Sequence, residues 1–163
     1  SHVRSQKYLA LKSRIVNPES HMVYLYHHRV RYRECDPMGV VYHAHYLDYF
    51  EAARTEALRS WGVPYRRLEA TGVIMPVVDV QLRYHRPGRY DDLLAIETAF
   101  PEPPGVRVPI DYTVRRELAN GTIEEAPLVT GRVTLCFVDP QRNRPITAPP
   151  MIRDAFARLT MDN

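Results

Sequence analysis

One long amphipathic helix in an otherwise strand-rich chain is the feature that most restricts how this sequence can fold. Between residues 45 and 61, apolar side chains recur at steps of three and four residues: Tyr46, Phe50, Ala53, Ala57 and Trp61. This spacing places one apolar stripe along a helix. Gly62, directly after the stripe, predicts that the helix ends in a left-handed conformation. An antiparallel sheet with one apolar face needs a cover, and this helix is the element that supplies it.

Strand patterns account for most of the remaining sequence. Val30 and Tyr32 alternate with arginines, which predicts a half-buried strand that stops at Cys35-Asp36-Pro37-Met38-Gly39. Further strands are predicted over residues 73–86, 93–100, 106–114 and 123–138, and Asn120-Gly121 marks a hairpin between the last two. A short helix is predicted over residues 150–159. The predicted order is therefore strand, long helix and then four strands in a meander.

This order predicts an α+β fold in which an antiparallel sheet wraps around one long central helix. With 163 residues, the chain suits a single domain. One helix covers little of such a sheet, so we expect a second copy to pair with it as a homodimer or homotetramer. Both lysines, Lys7 and Lys12, precede Met22, and every later basic residue except histidine is arginine. We interpret residues 1–21 as an expression leader or a disordered extension and residues 22–163 as the domain.

The composition excludes several classes of protein. No apolar run approaches the roughly 18 residues needed to span a bilayer. The net charge of +3 falls short of the dense basic surface of a nucleic-acid-binding protein. Cys35 and Cys136 are the only cysteines, too few for a disulfide framework, and they favour a reducing, cytoplasmic location.

The segment from Tyr32 to Tyr46 carries the chemistry. It places Asp36 in a turn between the first strand and the long helix, and Gly39 permits a positive φ there. The first N–H groups of a helix have no internal partner, and the helix dipole at that end favours negative charge. A carboxylate opposite these amides can attack a carbonyl or activate water, while the amides receive the developing oxyanion. One continuous segment therefore holds the parts of an acyl-transfer site.

The motifs in this segment resemble those of the 4-hydroxybenzoyl-CoA thioesterase family. The matching residues are Tyr32, Asp36, the run Gly39-Val40-Val41-Tyr42-His43 and the run Glu51-Ala52-Ala53-Arg54-Thr55-Glu56. They most resemble the bacterial acyl-CoA thioesterase branch associated with the Tol-Pal system. Two supporting stretches lie at residues 84–92 and 136–140, and the resemblance covers nearly the whole chain after Met22.

The resemblance implies a hot-dog fold and an acyl-CoA thioesterase. We expect this enzyme to need no cofactor or metal. Asp36 matches the catalytic aspartate, acting as general base or as nucleophile. The backbone N–H of His43 matches the group that polarises the thioester carbonyl, with the backbone at Tyr42 and Gly39 beside it. The side chains of His43 and Tyr32 match further active-site groups.

Coenzyme A carries a pyrophosphate and a 3′-phosphate, which arginine binds well. Arg86 and Arg89 lie in the turn between two predicted strands and are the candidates for these phosphates. The sequence leaves the acyl chain, and the choice between CoA and an acyl carrier protein, open.

Other interpretations of the same residues compete with this one. An aspartate before Pro-x-Gly is often only a turn residue, and Tyr32 on a strand also suits simple core packing. Cys35 with His43 suggests a thiol nucleophile, although neighbours in an extended segment point to opposite sides. His43 and His45 with Asp36 or Asp48 suggest a metal site, but the spacing matches no strong zinc pattern.

Three other functions use the same fold. An acyl-carrier-protein thioesterase needs the same site and a basic docking surface. A non-catalytic acyl-CoA-binding protein keeps the fold without the chemistry. A dehydratase relies on histidine with an acid on the helix, and it fits the Asp-x-x-Gly segment less well.

Overall fold

A computed structural model describes residues 22–161 of the chain. The proposed leader, residues 1–21, lies outside the described residues. The helices are α1 (His45–Ser60), α2 (Tyr65–Ala70) and α3 (Pro150–Met161), and a 3₁₀ turn covers Tyr32–Glu34. The strands are β1 (Met22–Arg29), β2 (Val77–Tyr84), β3 (Leu93–Phe100), β4 (Arg107–Glu117), β5 (Val129–Cys136), β6 (Val138–Asp139) and β7 (Arg144–Pro145).

Five antiparallel strands form the main sheet in the order β1-β3-β4-β5-β2. The helix α1 packs on one face of this sheet, and its stripe of Tyr46, Phe50, Ala53 and Ala57 is buried there. The ring of Phe50 stacks on that of Tyr112 from β4, with the ring centroids 4.2 Å apart. The predicted α+β hot-dog arrangement, a sheet wrapped around one long helix, is confirmed.

The path of the chain through the sheet differs from the predicted meander. Strands β3, β4 and β5 follow one another as neighbours, but β2 pairs with β5 at the far edge instead of with β3. The segment 85–92 must therefore cross the end of the sheet to connect β2 with β3. This crossing brings the segment to the N-terminal end of α1, where Val41 N–H donates to the carbonyl of Gly88 at 2.8 Å. The hydrophobic pattern identifies strands, but it carries no information about which edges pair.

Several predicted boundaries move. The first strand ends at Arg29 and not at Cys35, because the chain turns into the 3₁₀ segment, where Glu34 N–H donates to the carbonyl of Arg31. The alternation of Val30 and Tyr32 therefore does not reflect a strand. The strand predicted over residues 123–138 begins at Val129, and the terminal helix extends to Met161. The sequence analysis did not predict α2, β6 or β7.

The long helix matches its prediction closely. It begins at His45 and ends at Ser60, and Gly62 follows with φ +83°. Gly121 in the predicted hairpin also adopts a positive φ, and its N–H donates to the carbonyl of Leu118. None of the helices among residues 22–161 is both long enough and apolar enough to cross a membrane.

Candidate active site

Asp36 caps its own turn with one carboxylate oxygen. Its Oδ1 accepts hydrogen bonds from the N–H groups of Met38 at 2.9 Å and Val40 at 3.4 Å. Gly39 sits at the tip with φ +77°, a conformation that favours glycine. Among the described residues, Oδ2 has no hydrogen-bond partner. The turn role and the chemical role of Asp36 are therefore compatible, because each uses a different oxygen of the carboxylate.

This turn borders an open cleft of about 310 Å³. The turn, the start of α1 and the crossing segment enclose it, with Tyr84 at the end of β2 forming one wall. The lining residues are Asp36, Val40, Val41, His43, Tyr46, Tyr84, His85, Arg86 and Pro87. The structure thus brings Asp36, His43 and Arg86 of the predicted site residues to one place.

The start of α1 has open amides. Its first position is preceded by Ala44, and no side chain caps the helix. Within residues 22–161, the N–H groups of His43 and Ala44 have no hydrogen-bond partner. The N–H of Tyr42, in contrast, donates to the carbonyl of Glu34, and that of Gly39 donates to the carbonyl of Asp36, both at 2.9 Å. Of the three backbone positions suggested for an oxyanion, only His43 therefore has a donor to offer, and Ala44 adds a second.

Tyr32 lies apart from the cleft. Its side chain is 80% exposed and makes an edge-to-face contact with Tyr90, with the ring centroids 5.6 Å apart. The 3₁₀ turn rotates the side chain away from the face that the strand prediction assigned to it. Within a single chain, the structure does not bring Tyr32 together with Asp36 and His43.

Two tyrosines that the sequence analysis did not assign to the site shape the cleft. The hydroxyl of Tyr84 donates to the carbonyl oxygen of His43 at 2.8 Å. The hydroxyl of Tyr46 accepts a hydrogen bond from Gly88 N–H at 3.3 Å. Burial raises the pKa of both phenols, so both hydroxyls are protonated at physiological pH. The apolar stripe predicts only a core role for Tyr46, although its Oη reaches Gly88 in the crossing segment.

Glu34 is a buried carboxylate behind the Asp36 turn. Its Oε1 accepts from His28 Nε2 at 2.8 Å, the Tyr49 hydroxyl at 2.9 Å and the Arg31 N–H at 2.9 Å. Burial raises the pKa of Glu34, but the three hydrogen bonds outweigh burial, and the pKa lies below its ordinary value. Burial raises the pKa of Tyr49, and its hydrogen bond to Glu34 raises this pKa further. This cluster links β1, the 3₁₀ turn and α1 directly beside the site.

The two candidate phosphate-binding arginines have different surroundings. Arg86 Nη2 pairs with Glu124 at 2.8 Å and donates to the carbonyl of Ala126 at 2.6 Å, whereas its buried Nε has no hydrogen-bond partner among residues 22–161. Arg89 is exposed, and its guanidinium has no hydrogen bond or ion pair with residues 22–161. Arg116 anchors the crossing segment from β4, since it pairs with Asp92 and donates to the carbonyl of Pro87.

The geometry does not favour the thiol or metal alternatives. Cys35 is absent from the cleft lining, and its Sγ points to the carbonyl of Arg31 at 3.9 Å. Burial raises the pKa of the Cys35 thiol, and the charges of Glu34 and Asp36 raise it further, which disfavours the nucleophilic thiolate. No group of three or more His, Cys, Asp or Glu side chains within residues 22–161 is arranged to hold a metal ion.

The fold and the site together define a hot-dog protein whose cleft pairs a carboxylate with open helix amides. Residues 30–156 match the family model described as the thioesterase-like superfamily, and the chain belongs to this family. It is 35% identical to a putative esterase of Synechocystis over 80% of this chain and 76% of that protein. It is also 35% identical to the acyl-CoA thioester hydrolase YbgC of Escherichia coli O157:H7, over 78% of this chain and 91% of the relative.

A solved structure gives the same result for the fold. The DHNA-CoA thioesterase of Staphylococcus aureus superposes with a TM-score of 0.75 at 25% identity. The superposition covers 85% of this chain and 91% of that structure.

Proposed function

We propose that this protein is an acyl-CoA thioesterase that hydrolyses acyl-CoA to a free acid and CoA. The observation that carries this proposal is the position of Asp36, which lines the same cleft as His43. Among the described residues, Asp36 Oδ2 and the backbone N–H groups of His43 and Ala44 have no hydrogen-bond partner. The names of the Escherichia coli relative and of the Staphylococcus aureus structure, both thioester hydrolases, support the same chemistry.

The residues divide the reaction between them. Asp36 Oδ2 removes a proton from water as the water attacks the thioester carbonyl, or it attacks that carbon itself to form a mixed anhydride that water then cleaves. The carbonyl oxygen becomes an oxyanion, which the N–H groups of His43 and Ala44 stabilise. The C–S bond breaks as the tetrahedral intermediate collapses, and the CoA thiolate leaves and takes up a proton. The acyl group ends as the free acid.

The other predicted site residues take supporting roles. The His43 imidazole lines the cleft, where it assists protonation of the leaving thiolate. Tyr32 contacts Tyr90 apart from the cleft, so the role we assign to it is only auxiliary. Arg89 is the residue we assign to a CoA phosphate, because Arg86 is held by Glu124 and Ala126.

The active form in this proposal is a homodimer or a dimer of dimers, in the cytoplasm. β2 ends the sheet, and no strand among residues 22–161 pairs with its outer edge. This edge exposes Val78 (46%) and Val80 (39%), and Tyr84 at its end borders the cleft. An open, apolar edge pairs readily with another strand, and a second copy of β2 about a two-fold axis satisfies its main chain.

A panel of acyl-CoA thioesters, assayed for thiol release, tests the proposal. The wild-type chain should turn over several of them, and Asp36→Asn should lower kcat by about a thousandfold. Asparagine keeps the Oδ1 that caps the turn, so this variant removes the charge and leaves the local fold. Asp48→Asn, an exposed carboxylate paired with His45 on the same helix start, is the matched control and should retain activity.

Two outcomes would overturn the proposal: no thiol release from any acyl-CoA, or a near-wild-type rate for Asp36→Asn. The same panel should include acyl groups carried on an acyl carrier protein. Faster turnover of these thioesters than of acyl-CoA would favour the carrier-protein alternative over the acyl-CoA thioesterase.

A further inference from the structure

The residues from Glu34 to Tyr42 form a narrow hairpin that carries Asp36 to the cleft. At its base, the N–H of Tyr42 donates to the carbonyl of Glu34 at 2.9 Å. Nearer its tip, the N–H of Asp36 donates to the carbonyl of Val40, also at 2.9 Å. This Asp36 hairpin, residues 34–42, is therefore a lever with the carboxylate near one end and the pair of Glu34 and Tyr42 at the other.

The two open amides at the start of α1 are fixed by other contacts. The N–H of His45 donates to the carbonyl of Tyr42 at 2.9 Å, and this carbonyl shares a peptide unit with the N–H of His43. The hydroxyl of Tyr84 holds the carbonyl of His43, which shares a peptide unit with the N–H of Ala44. The helix and β2 therefore orient the amides, and the hairpin needs an anchor of its own.

The side chain of Glu34 supplies this anchor. The residue is 8% exposed, and its Oε1 accepts one hydrogen bond from each of three elements. The donors are His28 from β1, the Tyr49 hydroxyl from α1 and the N–H of Arg31 at the start of the 3₁₀ turn. The rings of His28 and Tyr49 also contact each other, with centroids 4.3 Å apart. A strand, a helix and a turn thus converge on one oxygen atom at the base of the hairpin.

We propose that Glu34 is a positioning residue, which fixes the carboxylate of Asp36 relative to the open amides of α1. This inference rests on the proposed thioesterase function and adds a residue to its site. Glu34 is absent from the cleft lining, so it acts through Asp36 and not on the substrate. A tilt at the base of the hairpin displaces the carboxylate near its tip. A displacement of about 1 Å between reacting groups costs on the order of a hundredfold in rate.

The charge of Glu34 suits this role. An ionised carboxylate accepts stronger hydrogen bonds than a neutral oxygen does, and three donors meet this one. Three substitutions therefore weaken the anchor in graded steps. Tyr49→Phe removes one donor and leaves the carboxylate. Glu34→Gln keeps an acceptor oxygen without the charge, and Glu34→Ala removes the anchor altogether.

Steady-state kinetics of this series on one acyl-CoA, at a temperature where each variant is folded, tests the proposal. We expect kcat to fall about two- to fivefold in Tyr49→Phe, about tenfold in Glu34→Gln and about a hundredfold in Glu34→Ala, with KM within about twofold of the wild-type value. Glu97→Gln is the matched control. Glu97 is also a buried carboxylate, 6% exposed and paired with Arg115, but it lies outside the cleft lining. Its substitution should lower stability and leave kcat unchanged.

A double-mutant cycle with Asp36→Asn separates positioning from a general loss of structure. Residues that act through one another give non-additive effects. In the Asp36→Asn background, Glu34→Gln should lower the residual kcat by less than about twofold, because no catalytic carboxylate remains to be displaced. A purely structural role lowers kcat by the same factor in both backgrounds. The residual rates are measured at raised enzyme concentration.

The possible failures point to different conclusions. Absence of thiol release by the wild-type chain, or full activity of Asp36→Asn, overturns the proposed function itself. If Asp36 is required but Glu34→Gln and Tyr49→Phe keep the wild-type kcat, only the positioning role is overturned. An equal loss of kcat in Glu97→Gln, a change in KM alone, or the same loss in both backgrounds of the cycle overturns it as well. If Glu34→Ala does not fold, Glu34→Gln and Tyr49→Phe still decide the question.

Discussion

The hydroxyl of Tyr84, at the end of β2, donates a 2.8 Å hydrogen bond to the carbonyl oxygen of His43. That carbonyl belongs to the same peptide unit as the N–H of Ala44, so the bond fixes the direction of one of the two open amides. It also ties the site to the free edge of the sheet. The orientation of the peptide unit before α1 therefore depends on β2, the strand at one edge of the sheet.

Removing this hydroxyl should weaken catalysis without preventing binding. Tyr84→Phe should lower kcat by about two- to tenfold, the cost of one hydrogen bond, with little change in KM. Steady-state kinetics on one acyl-CoA measures both values. Tyr90→Phe, which removes an exposed hydroxyl outside the cleft lining, is the control. An equal loss of kcat in both variants would show that the effect does not come from the hydrogen bond between Tyr84 and His43.

Glu34 should make the stability of the fold depend on acid pH. Its pKa in the folded state lies below the ordinary value of 4.5. Its contribution is therefore complete above about pH 4.5 and is lost as the pH falls through the folded-state pKa. Glu34→Gln should lower the free energy of unfolding at pH 7 by about 1–3 kcal/mol and flatten its decline in acid. Urea denaturation between pH 3 and pH 7 measures this.

The control for that experiment is Glu69→Gln, an exposed carboxylate on α2. It should leave both the stability at pH 7 and the acid slope close to the wild-type values. A Glu34→Gln curve that runs parallel to the wild-type curve would contradict the role we give to the three hydrogen bonds.

Gly88 should not tolerate a side chain. A Cβ at this position would lie 2.9 Å from Tyr46 Oη and 3.2 Å from Val41 Cγ2. These distances are too short, so the crossing segment would have to move away from the start of α1. Gly88→Ala should destabilise the fold by about 1–3 kcal/mol and lower activity. Gly105→Ala, whose Cβ meets nothing within 4 Å, should be close to neutral. Thermal denaturation of the two variants compares them directly.

Arg89 should bind CoA through charge. Arg89→Ala should raise KM by about three- to tenfold with kcat unchanged, and the difference should shrink at roughly 0.5 M salt because exposed charges are screened. Arg142→Ala, an exposed arginine near β7, is the control. Arg86→Ala should instead lower thermal stability, because it leaves Glu124 without one of its partners. If Arg86→Ala raises KM and Arg89→Ala does not, the CoA phosphate is bound by Arg86 and not by Arg89.

A charge on the edge of β2 should prevent the dimer from forming. Val80→Lys should shift the molecular mass in light scattering toward the monomer and reduce turnover, because lysine on an open edge opposes strand pairing. Val106→Lys, equally exposed but away from that edge, should leave the mass unchanged. A Val80→Lys monomer with wild-type turnover would contradict the proposal that the active form is a dimer.

The sequence alone predicts the long helix and the turn at Asp36, because both depend on local sequence patterns. A stripe repeated every three to four residues and a glycine after it are enough to place α1, and an aspartate before Pro-x-Gly is enough to place the turn. The hairpin at Gly121 is predicted for the same reason, since positive φ strongly favours a small set of residues.

The contacts that complete the site are not local, and the sequence did not reveal them. Tyr84 is 41 residues from His43, and Gly88 is 42 from Tyr46. Their meeting depends on β2 pairing with the far edge of the sheet, which no pattern in the chain specifies. Tyr32 shows the opposite error: its alternation with arginines is that of a strand, but the 3₁₀ bonds of Glu34 and Cys35 turn the backbone.

In the proposed mechanism, the two hydrogen bonds that Asp36 Oδ1 accepts have a kinetic consequence. These hydrogen bonds immobilise the carboxylate before a thioester binds. Ordering its side chain therefore adds no entropic cost to the activation free energy. Lengthening the residue by one methylene, as in Asp36→Glu, would retain the acid but release it from Met38 and Val40. If Asp36 is the catalytic carboxylate that we propose, the rigidity of its turn contributes to the rate of thioester cleavage together with the basicity of Oδ2.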